Sequence, residues 1–137
     1  MLLGKVERAK YGSEILALCK QELGEDVPLN QLTYFAILSG ETLQAVAAVK
    51  WYMTTWYMRA DVVKSEFRGN GFQRELIRER LSWLANRNDI AKVERVKVSI
   101  YPDNFRSIRN YELEDFKFEK RKKLQNGVIA NVYQKQM

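Results

Sequence analysis

Residues Val62–Ile77 read VVKSEFRGNGFQRELI, and this stretch decides how the rest of the chain is organised. Two β-branched residues close a strand, and Arg68-Gly69-Asn70-Gly71 forms a turn, because glycine tolerates backbone angles that other residues avoid. Apolar residues then recur every three or four positions, which predicts one face of a helix. They are Phe72, Leu76, Ile77, Leu81 and Leu84.

The start of this helix is a predicted anion site. The first backbone N–H groups of a helix have no partner inside it, and they lie at the positive end of its dipole. A glycine turn that leads into such a helix start is typical of phosphate binding. Arg68 adds a full positive charge beside these groups.

Length and composition limit the class of protein. The 137 residues are enough for one domain with a core, so we expect a single domain over residues 1–137. The one cysteine, Cys19, excludes an internal disulfide, and its apolar helical surroundings favour a buried thiol. No apolar run reaches the length of a membrane span, and the first residues lack the apolar core of a signal peptide. We therefore expect a cytoplasmic protein that is not associated with a membrane.

The charge leaves several partners open, whereas the absence of histidine excludes some chemistry. A net charge of +6 fits nucleic acid, an acidic partner, a polyanionic cofactor or a basic surface without a function. The chain has no histidine, which rules out Ser-His-Asp and Cys-His catalysis and argues against a catalytic zinc ion. We expect no metal site.

The order of predicted elements indicates a mixed α/β or α+β sheet with helices packed on it. Asn126-Gly127 is the strongest hairpin signal, and Ser13 and Gly24 are the expected cap and stop of the first helix. We expect strands at Leu2–Val6, Thr33–Leu38, Leu43–Met53, Trp56–Lys64, Val93–Tyr101, Phe116–Leu124 and Val128–Gln134, and helices at Glu14–Leu23, from Phe72 to about Asn88 and at Phe105–Leu113, with a short helical turn at Pro28–Leu32.

Two motifs carry a resemblance to a known family. In Val63–Gln73, Arg68 and Gly71 fit a loop in which Arg or Gln is followed by x-x-Gly-x-Gly or Ala, and Gln73 stands at the last place. In the second motif an Asn opens a short helix, a Tyr follows, and a Gly-Phe pair begins the next strand. Asn104, Ser107, Tyr111 and Phe116 fit this motif, and Asp115 replaces the Gly. In this order, with one helix and one strand between them, the motifs resemble the GNAT superfamily of N-acetyltransferases.

The resemblance implies a fold, an activity and a set of cofactor-binding residues. The GNAT-like acyl-CoA N-acyltransferase fold has a largely antiparallel sheet with helices on both faces, and strands Trp56–Lys64 and Val93–Tyr101 would splay apart. The activity would be direct transfer of an acetyl group from acetyl-CoA, as co-substrate, to a primary amine of a small molecule or a protein. The residues implied to bind the cofactor are Val62, Val63, Arg68, Gly69, Asn70, Gly71, Phe72, Gln73 and Asn104.

Tyr111 is the candidate general acid that the resemblance implies. A leaving thiolate with a pKa near ~8.5 needs a proton, and a phenol with a pKa near ~10 is reasonably matched to it. The alternative is a Tyr111 that packs on its helix with its hydroxyl at the surface. The general base stays open between Asp61, the only acid on the preceding strand, and water.

A different class of function is the main alternative: a catalytically impaired GNAT-like module used for assembly or for binding nucleic acid or protein. Gln73, Asp115 and the basic charge motivate it, although nucleic acid is not the favoured partner. An aromatic cluster, Trp51, Tyr52, Trp56 and Tyr57, fits a core or a dimer interface better than a substrate pocket, and such residues can also stack bases. The basic run Arg121-Lys122-Lys123 fits a solvated edge strand, or else a contact to CoA or an acidic partner.

Overall fold

The computed structural model describes residues 2–24, 31–87 and 93–137, without the side chains of residues 8 and 9. A short 3-10 helix at Ser65–Phe67 precedes the second α-helix. The predicted turn at Pro28–Leu32 falls mainly outside the described residues. The strands are β1 (Leu2–Lys5), β2 (Thr33–Ser39), β3 (Thr42–Tyr52), β4 (Thr55–Val63), β5 (Arg95–Ile100), β6 (Lys117–Lys123) and β7 (Ile129–Gln136), and the helices are α1 (Arg8–Leu23), α2 (Phe72–Ala85) and α3 (Phe105–Leu113).

The strands form one sheet in the order β1-β2-β3-β4-β5-β7-β6. Neighbouring strands are antiparallel except for β4 and β5, which run parallel. In the described part of the chain β4 and β5 pair only where Trp56 meets Val96 and Tyr57 meets Lys97. Beyond these residues β4 and β5 have no further pairs among the described residues, which leaves an opening in their hydrogen-bond ladder toward Val63. The expected mixed α/β fold with a largely antiparallel sheet is therefore confirmed.

Helices cover both faces of the sheet, as expected, because β2 and β3 bury side chains on both sides. On one face, Ile15 and Cys19 of α1 pack in a core cluster with alternate residues of β2, such as Tyr34. On the other face, α2 and α3 pack against the intervening residues, such as Phe35. Cys19 is fully buried, which confirms the expected buried thiol. Within the described ranges no helix is long and apolar enough to cross a membrane.

Four predicted boundaries were wrong by two residues or more, and one of them is the end of β7, at Gln136 rather than Gln134. Helix α1 begins at Arg8, six residues before the predicted start, and Glu7 at its N-cap makes no side-chain capping bond. Ser13, the expected cap, lies inside the helix and is exposed. Helix α2 ends at Ala85 rather than near Asn88. Strand β5 starts at Arg95, two residues later than predicted.

The aromatic cluster divides between the core and the surface. Trp56 is buried and packs edge-on against Trp83 of α2, with ring centroids 5.8 Å apart. Trp51 and Tyr52 remain half exposed near the β3–β4 turn. On β6 the run Arg121-Lys122-Lys123 is exposed at the edge of the sheet.

A β-bulge in β4 changes the path of the chain beside the opening. Val62 pairs with Val46, but Arg59 pairs with Ala48, so two residues of β4 stand opposite one residue of β3. Ala60 adopts a left-handed conformation there, with φ of 55°. A bulge bends its strand and re-aims the side chains beside it. It brings Asp61 to the inner end of the opening described below.

Candidate active site

The glycine turn exposes the N-terminus of α2. Gly69 and Gly71 have φ angles of 85° and 76°, which favour glycine, and no neighbouring atom lies within 4 Å of the place a Cβ would take. Gly71 is the N-cap of α2, and no side chain caps the helix. The first bond of the helix runs from the Glu75 N–H to the Gly71 carbonyl at 3.1 Å. The preceding N–H groups therefore have no intrahelical partner, which makes this turn fit an anion.

A cavity of about 560 Å³ opens in front of this turn. Its size is within the usual range for a small-molecule or cofactor site. Most of the residues predicted to bind a cofactor line it together: Val62 and Val63 of β4, Arg68, Gly69, Gly71, Phe72, Gln73 and Asn104. Asn70 and Tyr111, also predicted as site residues, are not part of the lining.

Arg68 is held beside the cavity by two partners. Its Nε donates to the Val63 carbonyl at 3.1 Å, and its Nη2 donates to Glu22 of α1 at 2.7 Å. Glu22 lines the cavity as well. The guanidinium is about half exposed, so it can still contact an anion from its open side. Glu22 thus positions Arg68 but also competes with an anionic ligand for its charge.

Two asparagines shape the loops around the cavity. Asn104 caps α3, because its Oδ1 accepts the Ser107 N–H at 3.3 Å. Any bond from the Asn104 side chain to a cofactor would therefore come from Nδ2. Asn70 points away from the lining, and its Nδ2 donates to the Phe67 carbonyl at 3.0 Å. Asn70 therefore contributes its backbone and holds the turn in shape.

A buried polar cluster lies behind the inner end of the cavity. Arg80 of α2 is fully buried and donates to Asp61 from Nη1 at 2.7 Å and from Nη2 at 3.0 Å. Its other bonds reach the Leu76 and Ala48 carbonyls at 3.0 and 3.1 Å. Tyr111 is also buried, and its hydroxyl donates to Asp61 and lies 3.3 Å from Arg80 Nη2. Asp61 is thus the one member of this cluster that also lines the cavity.

Burial and charge perturb both partners of Asp61. Burial raises the pKa of Tyr111 well above its usual value, and the Asp61 carboxylate adds to the rise while Arg80 opposes it. Burial alone would lower the pKa of Arg80, but Asp61 and Tyr111 raise it further than burial lowers it. The guanidinium therefore stays charged, and the phenol stays protonated at neutral pH.

The Gln73 side chain joins this cluster to α3. Its Nε2 donates to Asp61 Oδ2 at 3.2 Å and to Ser107 Oγ at 2.9 Å. Its Oε1 accepts the Asn110 amide at 2.8 Å. The side chain is partly buried and lines the cavity. All the hydrogen-bonding groups of this carboxamide therefore have partners in the surrounding wall.

Asp115, just after α3, adopts a left-handed backbone conformation that is more usual for glycine. Asp115 has a φ of 69°, and the Phe116 N–H donates to the Tyr111 carbonyl at 3.1 Å, which closes the helix. Aspartate tolerates this region better than most residues. The neighbouring Glu114 accepts from Arg74 at 2.6 Å and from Arg78 at 3.0 Å. These ion pairs fix α3 against α2.

Three residues of the site were missed in the sequence. The position of Arg80 indicated burial, because it lies four residues after Leu76 and four before Leu84, within the apolar face of α2. Arg106, which lines the cavity in the first turn of α3, carried a weaker one as a cation beside the Asn104 cap. Glu22 carried none, because it lies 46 positions away from Arg68.

Comparisons with known proteins agree with this geometry. A family model described as "Acetyltransferase (GNAT) family" matches residues 7–116, about four-fifths of the chain. No curated protein matches the sequence.

Several solved structures are similar to this chain at low sequence identity. An acetyltransferase of the GNAT family from Streptococcus pneumoniae has 12% identity and a TM-score of 0.77, over 99% of this chain and 98% of its own. The ribosomal-protein-S18-alanine N-acetyltransferase from Escherichia coli has 12% identity and a TM-score of 0.79, over 98% and 92%. A chain of the NatC complex bound to Gag peptide and CoA has 13% identity and a TM-score of 0.81, over 99% and 98%.

At these identities the solved structures establish a shared fold and nothing finer. The family match covers most of the chain and includes both motifs on which the resemblance rested. The resemblance is therefore confirmed, and the chain belongs to the GNAT family of acetyltransferases.

Proposed function

We propose that this protein transfers an acetyl group from acetyl-CoA directly to a primary amine. The observation that carries the proposal is the uncapped N-terminus of α2, which opens through Gly69 and Gly71 into the cavity beside the end of β4. This arrangement fits a pyrophosphate at the helix start. The similar NatC structure contains CoA, which supports the same type of ligand here.

The residues present fit a CoA thioester. The backbone from Gly69 to Gln73 would hold the phosphates, with charge-assisted bonds from Arg68 and, at the rim, from Arg106. The free side of β4 at Val62 and Val63 would pair with the extended arm of the cofactor, as a peptide pairs with a sheet edge. Asn104 Nδ2 would bind the same arm. When bound, acetyl-CoA supplies the activated acyl group, and we expect no metal ion to take part.

The chain itself would supply a proton donor. We assign this role to Tyr111, whose protonated hydroxyl lies behind Asp61. To reach the cavity, the hydroxyl would have to leave Asp61, and the Gln73 carboxamide bonded to the same Asp61 oxygen would have to move aside. Arg80 Nη2, at 3.3 Å, would stabilise the phenolate that remains. Burial opposes this ionisation because it raises the pKa of Tyr111. The proton lost from the acceptor nitrogen would pass to water and through it to the phenolate, which restores Tyr111.

Direct transfer fits the side chains that border the cavity. Cys19 is buried in the cluster beneath α1. Ser107 lines the cavity, but its Oγ accepts a bond from Gln73 and has no imidazole to activate it, since the chain lacks histidine. The acceptor amine, on a small molecule or a protein, would therefore attack the acyl group without a covalent enzyme intermediate. A cytoplasmic location and a homodimer stay predictions from the sequence.

A matched pair of glycine variants tests the proposal. Gly71→Asp places a carboxylate in the phosphate cradle, whereas Gly127→Asp introduces the same residue at a similar φ of 83° in the β6–β7 turn. Calorimetric titration with acetyl-CoA should show binding to the wild type and to Gly127→Asp, and at least about 100-fold weaker binding to Gly71→Asp. Release of free thiol with a panel of amines then reports transfer.

Either of two results would contradict the proposal. Equal affinity of both variants for acetyl-CoA would mean that the turn does not hold the phosphates. Absence of CoA binding together with salt-dependent binding of nucleic acid would favour the non-enzymatic module instead.

A further inference from the structure

Gln73 occupies a place where a smaller residue would leave the cavity open. Its carboxamide spans the inner wall, from Asp61 on β4 to Ser107 and Asn110 on α3. A glycine or alanine at this position would have no atoms beyond Cβ and could not make these bonds. The inner wall of the cavity is therefore made of side chains, with the Gln73 carboxamide between Asp61 on one side and Ser107 and Asn110 on the other.

Tyr111 lies directly behind this side chain. The Tyr111 hydroxyl and the Gln73 amide both donate to the same oxygen, Oδ2 of Asp61. Gln73 lines the cavity, whereas Tyr111 is only 1% exposed and does not. The two groups thus approach one carboxylate oxygen, Gln73 from the cavity and Tyr111 from the core.

We propose that Gln73 is a gate: its carboxamide closes the cavity in front of the Tyr111 hydroxyl and limits the acyl group to a short one. The inference rests on the proposed function, because it assumes that an acyl donor enters this cavity. Hydrogen bonds on both sides of the carboxamide orient it across the cavity, and the volume of the side chain is what closes the cavity. Gln73 therefore acts as a specificity-determining residue.

Two substitutions distinguish the effect of the volume of the Gln73 side chain from the effect of its hydrogen bonds. Gln73→Ala removes the carboxamide and opens the inner end of the cavity. Gln73→Met keeps an unbranched side chain of similar length but loses the hydrogen bonds. If the gate works by filling space, the methionine variant behaves as the wild type does and the alanine variant does not.

The first measurement needs no cofactor. Tyrosines are nitrated with tetranitromethane, and the modified peptides are quantified by mass spectrometry. Exposed Tyr52 and buried Tyr34, which is 1% exposed, serve as internal references for open and protected rings. Nitration of Tyr111 should be about tenfold faster in Gln73→Ala than in the wild type, and close to the wild-type rate in Gln73→Met.

The second measurement uses acetyl-, propionyl- and butyryl-CoA with one amine acceptor. One methylene in an apolar pocket changes kcat/KM by about 10- to 200-fold. The ratio of kcat/KM for butyryl-CoA to that for acetyl-CoA should therefore rise by about tenfold or more in Gln73→Ala. It should stay near the wild-type ratio in Gln73→Met. Gln21→Ala, at an exposed position of α1, is the control for the loss of a glutamine.

Each measurement decides on its own. If Tyr111 in Gln73→Ala stays as protected as Tyr34, the carboxamide does not cover the hydroxyl and the proposal is overturned. If the donor ratio does not change, the inner end does not receive the acyl group and the proposal is equally overturned. Failure of the proposed function gives a different result, namely no CoA binding and no turnover in any variant, and the nitration rates still decide whether Gln73 covers Tyr111.

Discussion

Removal of the Arg80 side chain should reveal how strongly the cluster behind the cavity stabilises the fold. Arg80→Met keeps most of the buried aliphatic volume but removes all the hydrogen bonds and the positive charge. Asp61 then keeps Tyr111 and Gln73 as donors but loses its counter-charge. The Ala48 carbonyl loses its Arg80 donor as well.

The expected cost follows from the burial of the pair. Breaking a buried ion pair by removing one partner costs about 3–5 kcal/mol. The Asp61 side chain keeps 14% exposure toward the cavity, so water relieves part of this cost and we expect roughly 3 kcal/mol. Asp61→Asn should cost a similar amount, because it leaves the Arg80 charge buried without its partner. The double variant should lose about 3 kcal/mol as well, rather than the sum of about 6, because neither charge remains.

Urea unfolding followed by tryptophan fluorescence measures these differences. With a slope of about 1–3 kcal/mol per molar urea, a loss of 3 kcal/mol lowers the midpoint by roughly 1–3 M. Lys10→Met, which breaks an exposed pair with Glu41, is the control and should hardly change the urea midpoint, and not at all at high salt. A cost below about 1 kcal/mol for Arg80→Met, or additive effects in the double variant, would refute the reasoning.

Three further predictions follow from other contacts of the site. Burial raises the pKa of Tyr111 in the folded state, so its protonated hydroxyl stabilises the fold below the unfolded pKa of about 10. Above that pH the wild type should lose up to ~1.4 kcal/mol of unfolding free energy per pH unit, measured from urea midpoints. Tyr111→Phe should lose less stability over the same alkaline range. Partial burial of Glu114 acts to raise its pKa, but hydrogen bonds from Arg74 and Arg78 lower that pKa by more. Glu114→Gln should therefore cost roughly 1–2 kcal/mol at pH 7 and much less below pH ~4, while exposed Glu112→Gln should change little at either pH. Glu22→Gln should tighten CoA binding by about three- to tenfold at low salt in calorimetry, because it removes a competing carboxylate beside Arg68; an unchanged affinity would mean that Arg68 does not contact the phosphates.

The fold was readable from the sequence where the signal is local. The hairpin at Asn126-Gly127 and helix α3 from Phe105 to Leu113 were predicted within a residue or two, because a turn dipeptide and an Asn cap mark them. The start of α1 was not readable, because Glu7 makes no side-chain capping bond and Ser13 is a good cap residue by type alone. Packing of Tyr11 in the core extends the helix on the N-terminal side of Ser13.

The glycine turn at the start of α2 was also predictable, because its geometry depends on the backbone of consecutive residues. The cluster of Asp61, Arg80 and Tyr111 was not, since these residues are 19 and 31 positions apart and no local pattern pairs them. The bulge at Ala60 was equally hidden, because alanine does not signal a left-handed conformation. Side-chain networks between distant elements are therefore the part of this site that needs the structure.

The cluster also bears on the general base, which the sequence left open between Asp61 and water. Asp61 accepts two bonds from Arg80, one from Tyr111 and one from Gln73. Oδ2 accepts three of these bonds and Oδ1 accepts one from Arg80, so an acceptor amine would have to share Asp61 with the Arg80 guanidinium. Water is therefore the better candidate, and the acceptor amine would enter the reaction already deprotonated, so that its own pKa sets the rising limb of the pH–rate profile.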